Sequence, residues 1–153
     1  MTQEEKDLLL KDLCARLPYD VKVNCNDKVY NFTGIHSFNI CVLSDDNEDN
    51  AFTTAGIKYV KPYLFPLSSM TEEQKRELLE LTGYEPRCEE SCGFDSWGFY
   101  VNIVGEYKYE ENKESIILYP DDIGIDWLNA NHFDFRGLIE KGLANDATGL
   151  NIY

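Results

Sequence analysis

The chain has 153 residues, of which 43% are hydrophobic and 13% aromatic, and its formal net charge is −14. A chain of this length buries about 70% of its unfolded surface, so it needs no stabilising metal or disulfide. Its apolar and aromatic content argues against a disordered protein. The excess of acids disfavours a nucleic-acid-binding protein, because such proteins use lysine and arginine to displace counterions from phosphates. We therefore expect one domain over 1–153, or two small lobes over 1–84 and 85–153.

The negative charge is concentrated in residues 85–126, which hold eleven acids and three bases. This segment keeps the protein soluble, binds a basic partner or imitates the charge of a nucleic acid. Mimicry would require the carboxylates to line one face at nearly the spacing of phosphates. The sequence leaves these three alternatives open.

The cysteines and the N-terminal pattern indicate the compartment. The five cysteines are Cys14, Cys25, Cys41, Cys88 and Cys92. Their odd number and irregular spacing, with no signal-peptide pattern, predict reduced thiols in a cytoplasmic protein. No apolar run approaches the roughly 20 residues of a membrane helix, so we expect no membrane contact. Cys88 and Cys92 lack the second ligand pair of a zinc site, and we predict no metal and no cofactor.

Two capping boxes mark the starts of predicted helices. Thr2 with Glu5 predicts a helix over 2–17, and Thr71 with Gln74 predicts a second over 68–83. Three- and four-residue spacing predicts an apolar stripe on the first helix. The stripe comprises Leu9, Leu10, Leu13, Cys14 and Leu17.

Residues 19–60 predict four short strands with a turn at Asn26-Asp27. The polar loop at 45–50 has the D-x-N-x-D spacing of a calcium loop, but Gly56 stands where a glutamate should close the shell, so we interpret it as solvated. Residues 97–109 and 115–119 predict a hairpin, preceded by an exposed connection over 84–96. The pattern favours an α+β fold, with a small, mainly antiparallel sheet or an SH3-like barrel and packed helices.

Residues 116–144 hold the densest mixture of aromatic, acidic and basic side chains. They predict a strand, a turn and two short helices over 122–130 and 135–144. The three- and four-residue spacing of Phe135, Leu138 and Ile139 predicts an inward helix face. We also expect Trp127, Leu128 and Phe133 to be buried.

A candidate binding site lies in this stretch, at Trp127, His132, Asp134 and Arg136. On an extended chain, the last three would point to one side, where a carboxylate could orient the imidazole and the guanidinium could hold an anion. The alternative is an Asp134–Arg136 turn pair beside a capping or core histidine. We predict no catalytic residue, because the sequence shows no second catalytic group.

Three stretches, EEKDLLLKDLCARLPYDVKV, KPYLFPLSSMTEEQK and IDWLNANHFDFRGLIEKGLA, give the chain a family resemblance. It resembles a group of small uncharacterised proteins of gut Bacteroides-type bacteria and their phages. The resemblance covers about half of the chain, and residues 85–115 lie outside it. It implies a bacterial or phage cytoplasmic setting and an accessory role, and carries over no activity and no catalytic residue.

These observations favour a non-enzymatic interaction module with a protein partner. The alternatives are an acidic nucleic-acid mimic that inhibits a host enzyme, and a small-molecule binder or enzyme that uses Trp127, His132, Asp134 and Arg136. The sequence does not determine the oligomeric state.

Overall fold

The computed structural model describes residues 1–37, 39–45, 51–81, 90–95, 98–103 and 122–153. Within these ranges the fold is α+β, as predicted, with a mainly antiparallel seven-stranded sheet and three α-helices. The helices are α1 (Gln3–Arg16), α2 (Glu72–Leu81) and α3 (Asp122–Ala130). None of the helices in the described ranges is both long and apolar enough to cross a membrane.

The strands of the sheet are β1 (Lys22–Cys25), β2 (Lys28–His36), β3 (Ile40–Ser44), β4 (Phe52–Gly56), β5 (Val60–Pro66), β8 (Phe133–Asp134) and β9 (Asn145–Asp146). They lie in the order β4-β3-β2-β1-β5-β8, and β9 also pairs with β5. Strands β1 to β5 pair antiparallel, whereas β8 and β9 run parallel to β5. The predicted strand over 52–60 is divided, because a 3-10 turn at Ile57–Tyr59 separates β4 from β5.

Local sequence signals produced several of these elements. The Asn26-Asp27 turn joins β1 to β2, and both residues have positive φ, as a two-residue hairpin requires. Both capping boxes form: the Glu5 amide donates to Thr2 Oγ1 at 3.1 Å, and the Gln74 amide donates to Thr71 Oγ1 at 3.2 Å. Since Leu67–Ser69 is a 3-10 turn, α2 begins at residue 72 rather than at the predicted 68.

The predicted apolar stripe of α1 is wrong in part. Leu9 and Leu13 are buried, but Cys14 is exposed and Leu17 is 42% exposed. The helix instead buries two charged side chains, Asp12 and Arg16, beside the leucines. Their burial rotates the inward face away from the face that apolar spacing predicted.

The predicted helix over 135–144 is also wrong, because this segment forms a series of turns. Gly137 and Gly142 have φ values of +67° and +68°, outside the right-handed helical region. The Asp134 carboxylate also accepts hydrogen bonds from the Leu138 and Ile139 amides, which fixes a tight turn. The three- and four-residue spacing of Phe135, Leu138 and Ile139 therefore occurs here in a series of turns and not in a helix.

A separate antiparallel hairpin joins β6 (Glu90–Asp95) to β7 (Gly98–Ile103). Strand β7 lies within the predicted strand over 97–109. Its partner β6 lies within residues 84–96, for which the sequence predicts an exposed connection, so that part of the prediction is wrong. The predicted pairing with 115–119 falls outside the described residues.

Among the residues that the structure describes, the core consists of two buried clusters that draw on both ends of the chain. In the first cluster, residues of α1 and of the sheet pack together with Leu138, Leu143 and Ala144. The other joins Leu67, Met70 and Leu78 to residues of α3 and β8. The division into lobes at 84 and 85 stays a prediction, because that boundary lies outside the described residues.

Candidate functional site

The four predicted binding residues lie where α3 leads into β8 and the following turns. Trp127, His132 and Asp134 are buried, and Arg136 is half-buried. The predicted burial of the surrounding apolar residues is confirmed for Leu128, Phe133, Phe135 and Leu138, whereas Ile139 is half-buried. The polar groups of the candidate site therefore sit within a packed region.

The centre of this region is an ion pair between Asp12 and Arg16 on α1, which the sequence patterns did not indicate. Both side chains are completely buried, at 0% exposure. Arg16 donates from Nε to Asp12 Oδ2 at 2.8 Å and from Nη2 to Asp12 Oδ1 at 3.1 Å. Such a bidentate pair has the geometry in which a guanidinium binds a carboxylate most strongly.

Arg16 also ties α1 to the C-terminal part of the chain. Its Nη2 donates to the Phe133 carbonyl oxygen at 2.7 Å, and its Nη1 donates to the Asn129 carbonyl oxygen at 3.4 Å. These acceptors lie 117 and 113 positions away in the sequence. Additional hydrogen bonds of this kind offset the desolvation of a buried ion pair.

Arg136 joins the same network. Its Nη1 donates to Asp12 Oδ1 at 2.8 Å and to Asn129 Oδ1 at 3.3 Å, and its guanidinium carbon lies 4.1 Å from the centre of the Phe135 ring. The ion-pair partner is thus Asp12, so the alternative Asp134–Arg136 turn pair does not form. Burial lowers the pKa of Arg136 from its ordinary value, and Asp12 opposes that change.

Asp134 is occupied by the backbone. Its Oδ1 accepts from the Leu138 amide at 2.9 Å and its Oδ2 accepts from the Ile139 amide at 2.8 Å. Each carboxylate oxygen is therefore hydrogen-bonded in the turn that follows β8. The carboxylate orients this turn rather than the imidazole of His132.

His132 is held in a specialised conformation. Its φ is +58°, and its ring stacks on Tyr153 with centroids 3.9 Å apart and planes 12° apart. Burial, with a contribution from Arg16, lowers the pKa of His132 to about 4. Its Nδ1 is buried without a hydrogen-bond partner. The imidazole is consequently neutral at physiological pH and faces aromatic surroundings.

Trp127 contributes to the same aromatic packing. Its ring stacks on Phe133 with centroids 5.8 Å apart and planes 13° apart. Phe133 in turn contacts Phe65, and Phe65 contacts Tyr153. An aromatic chain thus runs from Trp127 to the His132–Tyr153 stack, connecting α3, β8 and β5.

A shallow surface pocket lies elsewhere, between the turn that follows α1 and the strands β1, β2 and β3. It is lined by Leu17, Asp20, Lys22, Asn31, Phe32, Thr33 and Ser44. No group of three or more metal-ligating side chains occurs among the described residues. The pocket lies apart from all four predicted binding residues.

Two further predictions fall largely outside the described ranges. Most of the acidic segment 85–126 lies there, so the alignment of its carboxylates stays a prediction. The polar loop at 45–50 is described only at Asp45, so its interpretation as a solvated loop also stays a prediction.

Of the cysteines, Cys14, Cys25 and Cys41 are free thiols. Burial raises the pKa of Cys41 to about 12, which keeps that thiol protonated and unreactive.

In comparisons with known proteins, no family model, no curated protein and no solved structure matches this chain significantly. The three stretches on which the predicted resemblance rests meet in space. Arg16, in the first, contacts carbonyl groups of the third, and β5, in the second, pairs with β8 in the third. Together they build the buried polar and aromatic region described above.

Proposed function

We propose that this chain is a non-enzymatic interaction module, an accessory protein that binds a protein partner in the cytoplasm of a bacterium or its phage. One observation carries the proposal: the two charged groups of the candidate site are paired inside the molecule. Arg136 is paired with Asp12, and both oxygens of Asp134 bind backbone amides. The charge of Arg136 is therefore already balanced by a carboxylate within the molecule.

The setting rests on the family resemblance, and protein binding rests on the composition. A net charge of −14 suits a protein partner with basic groups better than a nucleic acid. The low pKa of His132 further supports a non-enzymatic role, because a general base works best with a pKa near the operating pH.

Capture from a lysate of a Bacteroides-type gut bacterium tests the proposal. The tagged chain should retain a small set of proteins that the untagged chain displaces and that an unrelated protein of similar size and charge does not retain. A parallel metabolite screen should detect no turnover. Failure to retain any protein, together with consumption of a metabolite, would contradict an interaction module.

A further inference from the structure

Strand β4 forms one end of the sheet. Among the described strands it pairs only with β3. The opposite end differs, because the short parallel strands β8 and β9 cover β5. An edge strand presents alternate N–H and C=O groups that another extended chain can pair with.

Two backbone hydrogen bonds establish which groups of the β4 edge face outward. Before the strand, the Asp45 amide donates to the Ala51 carbonyl oxygen at 3.3 Å. After it, the Ile57 amide donates to the Asn39 carbonyl oxygen at 2.9 Å. In an antiparallel ladder, hydrogen-bonded pairs alternate with non-hydrogen-bonded pairs, so these two bonds set the phase of the strand between them.

With this phase, Thr53 and Ala55 exchange hydrogen bonds with β3. Phe52, Thr54 and Gly56 then direct their N–H and C=O groups away from the sheet. Three outward-facing residues at two-residue spacing match the repeat of an extended polypeptide. The open edge of β4 is therefore suited to the main chain of an added strand.

The side chains do not protect this edge. The sequence of β4, FTTAG, contains no charged residue and no proline, the usual features that prevent pairing with foreign strands. Phe52 is 65% exposed, and Thr53 and Thr54 are also exposed. By contrast, β5 contains Lys61, Pro62 and Pro66. An incoming strand would find an apolar contact at Phe52 and no charge on β4 to repel it.

We propose that the β4 edge binds an extended, positively charged segment of another protein as an additional strand. This inference rests on the proposed function as an interaction module and identifies its docking surface and its class of partner. Charge selects the partner: two copies of this chain would each bring a net charge of −14, whereas a basic segment is attracted. Apolar residues alternating with lysine or arginine would place a side chain beside Phe52 and leave the bases free.

Short synthetic peptides test the partner class. The probe is a seven-residue peptide of alternating lysine and valine, and its control replaces lysine with glutamate. Binding of the lysine peptide should protect the amides of Phe52, Thr54 and Gly56 from hydrogen exchange, while those of Thr53 and Ala55 are protected even without peptide. Equal binding of the glutamate peptide, or protection of these amides by self-association, would overturn the proposal.

Substitutions at Thr54 test the edge itself. Thr54→Pro removes an outward N–H without removing a bond to β3 and should weaken peptide binding by about five- to tenfold, whereas Thr54→Val, which keeps the N–H, should not. Thr54→Lys keeps the strand and repels the basic peptide, so it supplies a second test if the proline variant folds poorly. Unchanged affinity in both Thr54→Pro and Thr54→Lys would overturn the assignment.

Capture from lysate separates this inference from the proposed function. If wild type and Thr54→Lys retain the same partner equally, the β4 edge is not the docking surface, although the protein still acts as an interaction module. If wild type retains no partner and binds no peptide, both proposals fail. Loss of the partner from Thr54→Lys alone supports both.

Discussion

At the scale of single residues, Asp12 connects two guanidinium groups that local sequence patterns do not relate to it. Charged side chains are almost never fully buried unless they are paired, and the predicted apolar stripe of α1 does not include Asp12. One of its partners is Arg136. The other is Arg16, which also donates hydrogen bonds to carbonyl groups more than 110 positions away in the sequence. The i,i+4 spacing of Asp12 and Arg16, beside Leu9 and Leu13, was the sequence signal that could have indicated this buried ion pair.

Asp12→Asn should destabilise the protein strongly, because it leaves Arg16 and Arg136 without a counter-charge. Breaking a buried pair from one side typically costs about 3–5 kcal/mol. Urea unfolding measures this loss. Asp7→Asn, on an exposed position of the same helix, is the matched control and should change the free energy of unfolding by about 0.5 kcal/mol or less. Equal stability of the two variants would show that the network is dispensable.

His132 should make stability depend on pH. Its pKa is about 4 in the folded protein against 6.5 ordinarily, so the unfolded chain takes up a proton first as the pH falls. The free energy of unfolding should therefore decrease between about pH 6.5 and 4 and stop changing through this group below that. His132→Asn, which tolerates the positive φ, should flatten that part of the curve. A slope identical to wild type would contradict burial of a neutral imidazole.

At the scale of elements, the sequence was informative where the signal is local. The Thr2 and Thr71 capping boxes and the Asn26-Asp27 turn need only neighbouring residues, and all three formed. The helix predicted over 135–144 failed because the spacing of Phe135, Leu138 and Ile139 does not report backbone handedness. The parallel pairing of β8 and β9 with β5 was equally inaccessible, because short strands acquire their partners only in the folded chain.

Gly142→Ala tests whether handedness excludes the helix in this segment. A side chain at Gly142 meets no atom within 4 Å, yet its φ of +68° disfavours a residue with a Cβ, so stability should fall by about 1–2 kcal/mol. Gly34→Ala is the matched control, because a side chain there also meets no atom within 4 Å, but its φ lies outside the left-handed region. That variant should be neutral or slightly stabilised. A neutral Gly142→Ala in thermal melting would contradict the turn structure.

At the scale of the whole molecule, the segment 122–153 closes the fold rather than forming an appendage. Its strands extend the sheet at β5, its carbonyl groups accept from Arg16, and its apolar residues enter both core clusters. The sequence correctly indicated that Trp127, Phe133 and Phe135 would be buried. It could not show that Asp134 and Arg136 make structural contacts, because their partners are backbone amides and Asp12 in α1.

The central claim is that the charged residues Asp134 and Arg136 maintain the fold. Chemical unfolding of Asp134→Ala tests it most directly, with Asp146→Ala as the control, because Asp146 is exposed and accepts a single bond from the Thr148 amide. Losing two hydrogen bonds to a buried carboxylate should lower the free energy of unfolding by about 2–4 kcal/mol, against about 1 kcal/mol or less for the control. An Asp134→Ala protein as stable as wild type, or more stable, would contradict the claim and indicate a residue retained for binding or catalysis.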